Sequence, residues 1–136
     1  MYKFVSLFAL AFFGLVLWVI YLANIGHSNA LFQWVAQTPH GDKIGHLFIF
    51  GFLTLVTNAS LKFKTVNLGK LNVYLGTLLV SIFVLAEEFS QGFLPTRNMD
   101  IQDVIADAIG IIIFTGLSHI IATRIQRQSI AVPQEL

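Results

Sequence analysis

Residues 104–122 read VIADAIGIIIFTGLSHIIA, a run long and apolar enough to cross a bilayer, yet carrying Asp107 near its start. A bilayer core takes about 20 mostly apolar helical residues. An acid inside such a run is costly unless it faces other helices and finds partners there. This stretch therefore decides two things: the chain is a membrane protein, and polar groups face inward.

Three further runs precede it. Phe4–Ala23 is free of charge, and so is Ile44–Leu61, which has His46 near its start and Thr54, Thr57, Asn58 and Ser60 nearer its end. Leu71–Ala86 is apolar but short and runs straight into Glu87 and Glu88, so a span of about 20 residues carries it to Gln91. The expected fold is all-α, a polytopic integral membrane four-helix bundle in one domain over residues 1–136. Its helices are expected at about 4–23, 44–61, 71–91 and 103–123. The first run resembles a signal peptide in following Lys3, but its apolar stretch exceeds the usual core of roughly 7–15 residues, which favours a retained helix.

Composition agrees. Apolar residues make up 56% and charged residues only 11%, against about 25% charged in soluble domains. That balance excludes a disordered chain, a nucleic-acid binder with a basic face and an ordinary soluble enzyme. With no cysteine, disulfides, thiolate nucleophiles and cysteine-ligated metals are excluded as well.

Lysine and arginine give the orientation. Lys62, Lys64 and Lys70 crowd the connector after the second run, Lys3 precedes the first, and Arg124 and Arg127 follow the last. The other two connectors hold only Lys43 and Arg97. By the positive-inside rule both termini and the Lys62–Lys70 connector are cytoplasmic. All the acids except Glu135 then lie toward the outer face: Asp42, Glu87, Glu88, Asp100, Asp103 and Asp107. In the first outer connector, Leu31–Val35 is too short to span. It reads either as an interfacial segment anchored by Trp34 or as a loop packed on the bundle.

Helical spacing draws the outer polar residues together. Asp42 and His46 are four apart, and either Glu87 or Glu88 can pair with Gln91. Asp100, Asp103 and Asp107 fall within an arc of roughly 60°, and Gly110 continues that stripe where another helix can approach closely.

Each residue has a structural and a chemical reading. Asp42 and Asp100 stand where helix-capping carboxylates stand. Lys43 and Arg97 either neutralise carboxylates or clamp an anionic headgroup, Arg97 through bidentate donors. His46 is either a hydrogen-bonded core residue or a general acid–base oriented by Asp42. Glu87 and Glu88 point about 100° apart, so both cannot face one pocket equally well. Glu88, Asp103 and Asp107 offer oxygen ligands for a hard divalent cation such as Mg²⁺ or Ca²⁺. Thr54, Thr57, Asn58 and Ser60 read as helix–helix hydrogen bonders.

Asp42-Lys43-x-x-His46, Glu88-x-x-Gln91, Arg97-x-x-Asp100-x-x-Asp103 and the run Ala106-Asp107-Ala108-Ile109-Gly110 together resemble the VanZ-like family of small membrane proteins. The resemblance runs from about Asp42 to Ile113 and departs at Asp107, where the family commonly has asparagine. It implies a link to low-level resistance to the glycopeptide teicoplanin and carries no established reaction. Two functions follow as expectations. One is a cell-envelope protein whose outer cluster binds a lipid headgroup or glycopeptide, with Lys43, Gln91 and Arg97 as binding residues. The other is a membrane enzyme processing a phosphorylated headgroup in the outer leaflet, with His46, Glu88, Asp103 and Asp107 as candidate catalytic residues. Membrane lipid is the expected partner in both, and nucleic acid in neither.

Overall fold

The computed structural model describes residues 1–131, so Glu135 lies outside the described residues. Five helices and one hairpin follow in the order α1 (Tyr2–Asn24), α2 (Ala30–Gln37), α3 (Gly41–Ser60), β1 (Thr65–Leu68), β2 (Leu71–Tyr74), α4 (Leu75–Gln91) and α5 (Ile101–Ala131). Two of the described helices, α1 and α5, are long and apolar enough to cross a membrane.

The hairpin corrects the all-α expectation, and with it the start of the third helix, which is Leu75 and not Leu71. Its cause is local. Gly69 adopts φ +71°, open to glycine at no steric cost, and turns the chain in two residues so that Leu68 pairs with Leu71 and Thr65 with Tyr74. Val66, Val73 and Tyr74 suit a strand better than a helix. At 17 residues, α4 is about 25 Å long.

Leu31–Val35 belongs to α2, whose first turn is fastened by the Asn29 side chain accepting from the Phe32 N–H at 2.9 Å. No α2 residue is buried, and Trp34 is exposed. The capping expectation divides. Asp100 caps α5, accepting from the Gln102 N–H at 2.9 Å. Asp42 is no cap, because His40 precedes α3 in the left-handed region and Asp42 lies within the first turn. There its charge still meets the positive end of the helix dipole.

α3 is the hub, packed on α5 most extensively and also on α1 and α4. Ala9, Val16, Phe50, Leu53, Val80, Val84 and Ile111 form the core, and Phe12 meets Phe52 edge-on at 5.0 Å. Close approach of α3 and α5 depends on Gly110, where a Cβ would collide with the Leu47 carbonyl. Asn58 joins three helices: its amide donates to Thr77 Oγ1 at 3.0 Å and Ser118 Oγ at 3.1 Å, while its carbonyl accepts from the Thr77 N–H at 2.9 Å. Of the expected helix-bonding residues, Thr54 and Ser60 instead donate to their own helix, at Phe50 O and Thr57 O. Large apolar side chains such as Phe4, Leu10, Leu85 and Ile112 point outward.

Charge separates along the bundle. The hairpin end carries Lys62, Lys64 and Lys70, and Lys62 sits over the Tyr2 ring at 5.1 Å. The opposite end holds the starts of α3 and α5 and the last turn of α4, where the acids lie.

Candidate functional site

Two adjoining polar groups occupy the acidic end. The first centres on Lys43 in the first turn of α3. Its ammonium donates to Asp42 Oδ2 at 2.9 Å, Asp100 Oδ2 at 2.7 Å and Asp103 Oδ1 at 2.5 Å. An ammonium has three donors, so this set uses all of them. Lys43 therefore sits as a counter-ion joining the starts of α3 and α5. The Lys43 hydrogen bond, aided by the Gln102 N–H, holds the Asp100 carboxyl below its ordinary 3.8.

The second group lies deeper, one turn further along both helices. His46 Nδ1 is 2.9 Å from Asp107 Oδ1 and 3.8 Å from Glu88 Oε1, while Nε2 is 3.8 Å from Asp103 Oδ2. Against an ionised carboxylate, which only accepts, Nδ1 carries the proton and donates to Asp107. Asp107 is fully buried and Glu88 is 1% exposed. Asp107, not Asp42, is thus the residue that orients His46. Asp42 is exposed and committed to Lys43.

Gln91 closes the group from the last turn of α4. Its amide donates to both Glu87 oxygens at 2.9 Å and more weakly to Glu88 Oε1 at 3.4 Å. Glu87 is therefore the main partner of Gln91 and is itself buried, a role that the four-residue spacing allowed but did not single out. Glu88 is the acid aimed at His46. Among the described residues, Glu88 Oε2, Asp107 Oδ2 and Gln91 Oε1 are buried without a hydrogen-bond partner.

Arg97 stands apart. Among the described residues it makes no ion pair, so of its two readings the structure does not give it that of neutralising the buried acids. The turn that places it hangs on the end of α1, where the Thr96 hydroxyl donates to the Asn24 carbonyl. From there Arg97 lines a cavity of about 460 Å³ between α1, α2 and α3. Val16, Val19, Ile20, Phe32 and Ile49 form much of its apolar wall, and Asp42, His46, Glu87 and Arg97 supply its polar part.

The structure thus brings together Lys43, His46, Glu88, Gln91, Asp100, Asp103 and Asp107, with Gly110 just below them, and leaves Arg97 facing the cavity. One cation, one imidazole and a surplus of carboxylates can hold protons, a cation or a polar ligand. The cavity, which arises from how α1, α2 and α3 pack on one another, gave no signal in the spacing of residues.

No curated protein and no solved structure matches the chain. The family model described as VanZ/LLP1 matches residues 4–122, taking in α1, the cavity wall and both polar groups. With a match over most of its 136 residues, the chain belongs to the VanZ/LLP1 family.

Proposed function

We propose that this VanZ-like protein is a multi-pass cell-envelope protein that binds an anionic amphiphile, a membrane lipid, with its hydrocarbon in the cavity and its headgroup at Arg97. The cavity carries this reading. Its volume of about 460 Å³ falls within the roughly 300–1,000 Å³ of small-molecule sites, and its apolar wall suits hydrocarbon. Arg97 is the basic residue on that wall and has no carboxylate partner among the described residues, so its bidentate donors are open to a phosphate. Lys43, with all three donors committed, is not part of this headgroup site.

The chain crosses the membrane four times, by α1, α3, α4 and α5, with both termini inside. Three observations support this: the outward apolar side chains, the basic residues gathered at the hairpin end, and the acids at the other. The cavity then opens toward the outer leaflet. A lipid ligand also accommodates the family's link to glycopeptide resistance, through binding in the envelope and not through chemistry on the drug.

Phosphatidylglycerol and diacylglycerol, which lacks the phosphate, added to the purified protein in detergent and followed by native mass spectrometry, test the reading. Arg97→Gln should weaken phosphatidylglycerol about tenfold or more, since a charge-assisted hydrogen bond contributes about 1.5–3 kcal/mol, and should leave diacylglycerol unchanged. Ile20→Trp, which fills the cavity, should weaken both lipids. Unaltered binding in Ile20→Trp overturns the proposal. A second reading, turnover of a phosphorylated headgroup, is favoured by one observation, the His46–Asp107 hydrogen bond beside the same cavity.

A further inference from the structure

We infer that His46, Glu88 and Asp107 form a site for one divalent transition-metal ion, with Zn²⁺ the best fit. The inference does not depend on what fills the cavity.

The first support is geometric. One ligand atom from each residue lies within 4.8 Å of the other two; His46 Nδ1 is 2.9 Å from Asp107 Oδ1 and 3.8 Å from Glu88 Oε1, and an ion there takes the place of the proton that Nδ1 donates to Asp107, which leaves to solvent. Ligands at about 2.0–2.2 Å around a tetrahedral ion stand about 3.4 Å apart, so small side-chain adjustments close the set. The three residues come from α3, α4 and α5, so an ion there bridges every helix of the cluster.

The second support is the state of the buried oxygens. Glu88 and Asp107 are almost wholly buried, and each keeps one carboxylate oxygen with no hydrogen-bond partner. Leaving such atoms bare at this depth is costly, and a cation is the group that would use both. Among the described residues, no lysine or arginine lies within ion-pair distance of either carboxylate. Lys43, the nearest ammonium in the cluster, is committed to Asp42, Asp100 and Asp103.

The third support is the donor chemistry. Glu87 fixes the Gln91 amide by accepting from its nitrogen, and the Gln91 carbonyl oxygen is left buried and unpartnered. Because Asp103 is spent on Lys43, the set is not the all-oxygen one of Glu88, Asp103 and Asp107, and an imidazole takes the third place. One imidazole with two carboxylates suits Zn²⁺, and next Mn²⁺, better than Ca²⁺, which takes six to eight oxygens. Two carboxylates balance the charge of a divalent ion. His46 and Glu87 line the cavity, so an ion held by His46 would lie next to the space assigned to the ligand.

The test uses the full chain, stripped of metal and purified in detergent, with metal salts as the only additions. Co²⁺ should give the visible absorption of a four- or five-coordinate protein site, displaced by one equivalent of Zn²⁺. A spectrum of hexa-aquo Co²⁺ alone overturns the inference, and this measurement needs no variant to fold. In calorimetric titration Zn²⁺ should bind at one ion per chain. Glu88→Gln and Asp107→Asn should each weaken it at least tenfold, and Asp42→Asn, in the neighbouring ion-pair group, should leave it unchanged. Zn²⁺ should also raise the wild-type Tm and leave that of Glu88→Gln unmoved. Equal affinity in the wild type and Asp107→Asn, or an equal loss in Asp42→Asn, overturns the assignment. Lipid binding is read separately by mass spectrometry, so either proposal can fail alone.

Discussion

Nδ1 of His46 lies 2.9 Å from Oδ1 of Asp107, and this bond joins α3 to α5 where both helices carry their buried polar residues. In metal-free protein, Asp107→Ala leaves the partly buried His46 N–H without its acceptor and should cost about 1–3 kcal/mol in detergent unfolding. Asp107→Asn keeps an oxygen at that place and should cost under about 1.5 kcal/mol, in line with the range for a single hydrogen bond. Equal losses in the two variants would show that charge, not shape, holds the pair.

Gly110 and Gly116 lie on the same helix and should respond oppositely to alanine. A Cβ at Gly110 meets the backbone of Leu47, whereas at Gly116 it meets nothing within 4 Å. Gly110→Ala should therefore destabilise by about 1–3 kcal/mol through overpacking. Gly116→Ala should be neutral or stabilising by up to about 1 kcal/mol. Thermal unfolding of the two proteins side by side decides it.

Asn58→Ala should cost about 1–3 kcal/mol, because the Thr77 N–H loses its acceptor and Ser118 loses a donor. Asn58→Asp keeps the acceptor but buries a carboxyl with no counter-charge and should cost at least as much. Denaturant midpoints give the order, and a silent Asn58→Ala would remove this residue from the packing of α4.

Acid should release the start of α5. The Asp100 carboxyl is depressed by Lys43, so its contribution is fully present above the ordinary 3.8 and is lost as pH falls through the lower folded value. Asp42 and Asp103 share that ammonium. The wild type should therefore exceed Asp100→Asn in Tm from neutral pH down to about pH 5, and the gap should narrow as pH falls below about 4, through the depressed folded value. A gap that does not narrow at all between about pH 4 and pH 2 would assign the effect to helix capping alone.

For the four-span topology, Asn67→Cys in β1 and Asn98→Cys before α5 can be introduced singly, since the chain has no cysteine of its own. An impermeant thiol reagent added to intact cells should label position 98 and spare position 67. The reverse pattern would invert the orientation.

The polar residues that meet at the acidic end were legible because helical spacing is a local property. Asp103 and Asp107 on one stripe, and Gln91 three and four residues after the glutamates, fix which way each side chain points once the helix forms. Pairings between helices were not legible. Asp42 was the sequence-adjacent partner for His46, yet Asp107 holds it, because the Gly110–Leu47 contact brings α5 against that side of α3. Arg97 likewise lies in a turn whose position depends on the tie between Thr96 and Asn24, residues far apart in the chain. Nor did hydropathy reveal the hairpin, since Leu71 and Val73 run on into the apolar helix that follows.

That hairpin has a consequence for how anything reaches the site. By taking Leu71–Tyr74 out of the helix, it leaves α4 about 5 Å short of the roughly 30 Å hydrocarbon thickness. In the proposed four-span topology, with the hairpin at the cytoplasmic boundary, the last turn of α4 would end beneath the opposite headgroups, and Glu87, Glu88 and Gln91 would be sunk with it. A ligand would then enter sideways, sliding out of the acyl chains between α1 and α2 without passing through water. Lengthening α4 by one turn would lift those three residues toward the headgroups and turn a lateral doorway into an aqueous one.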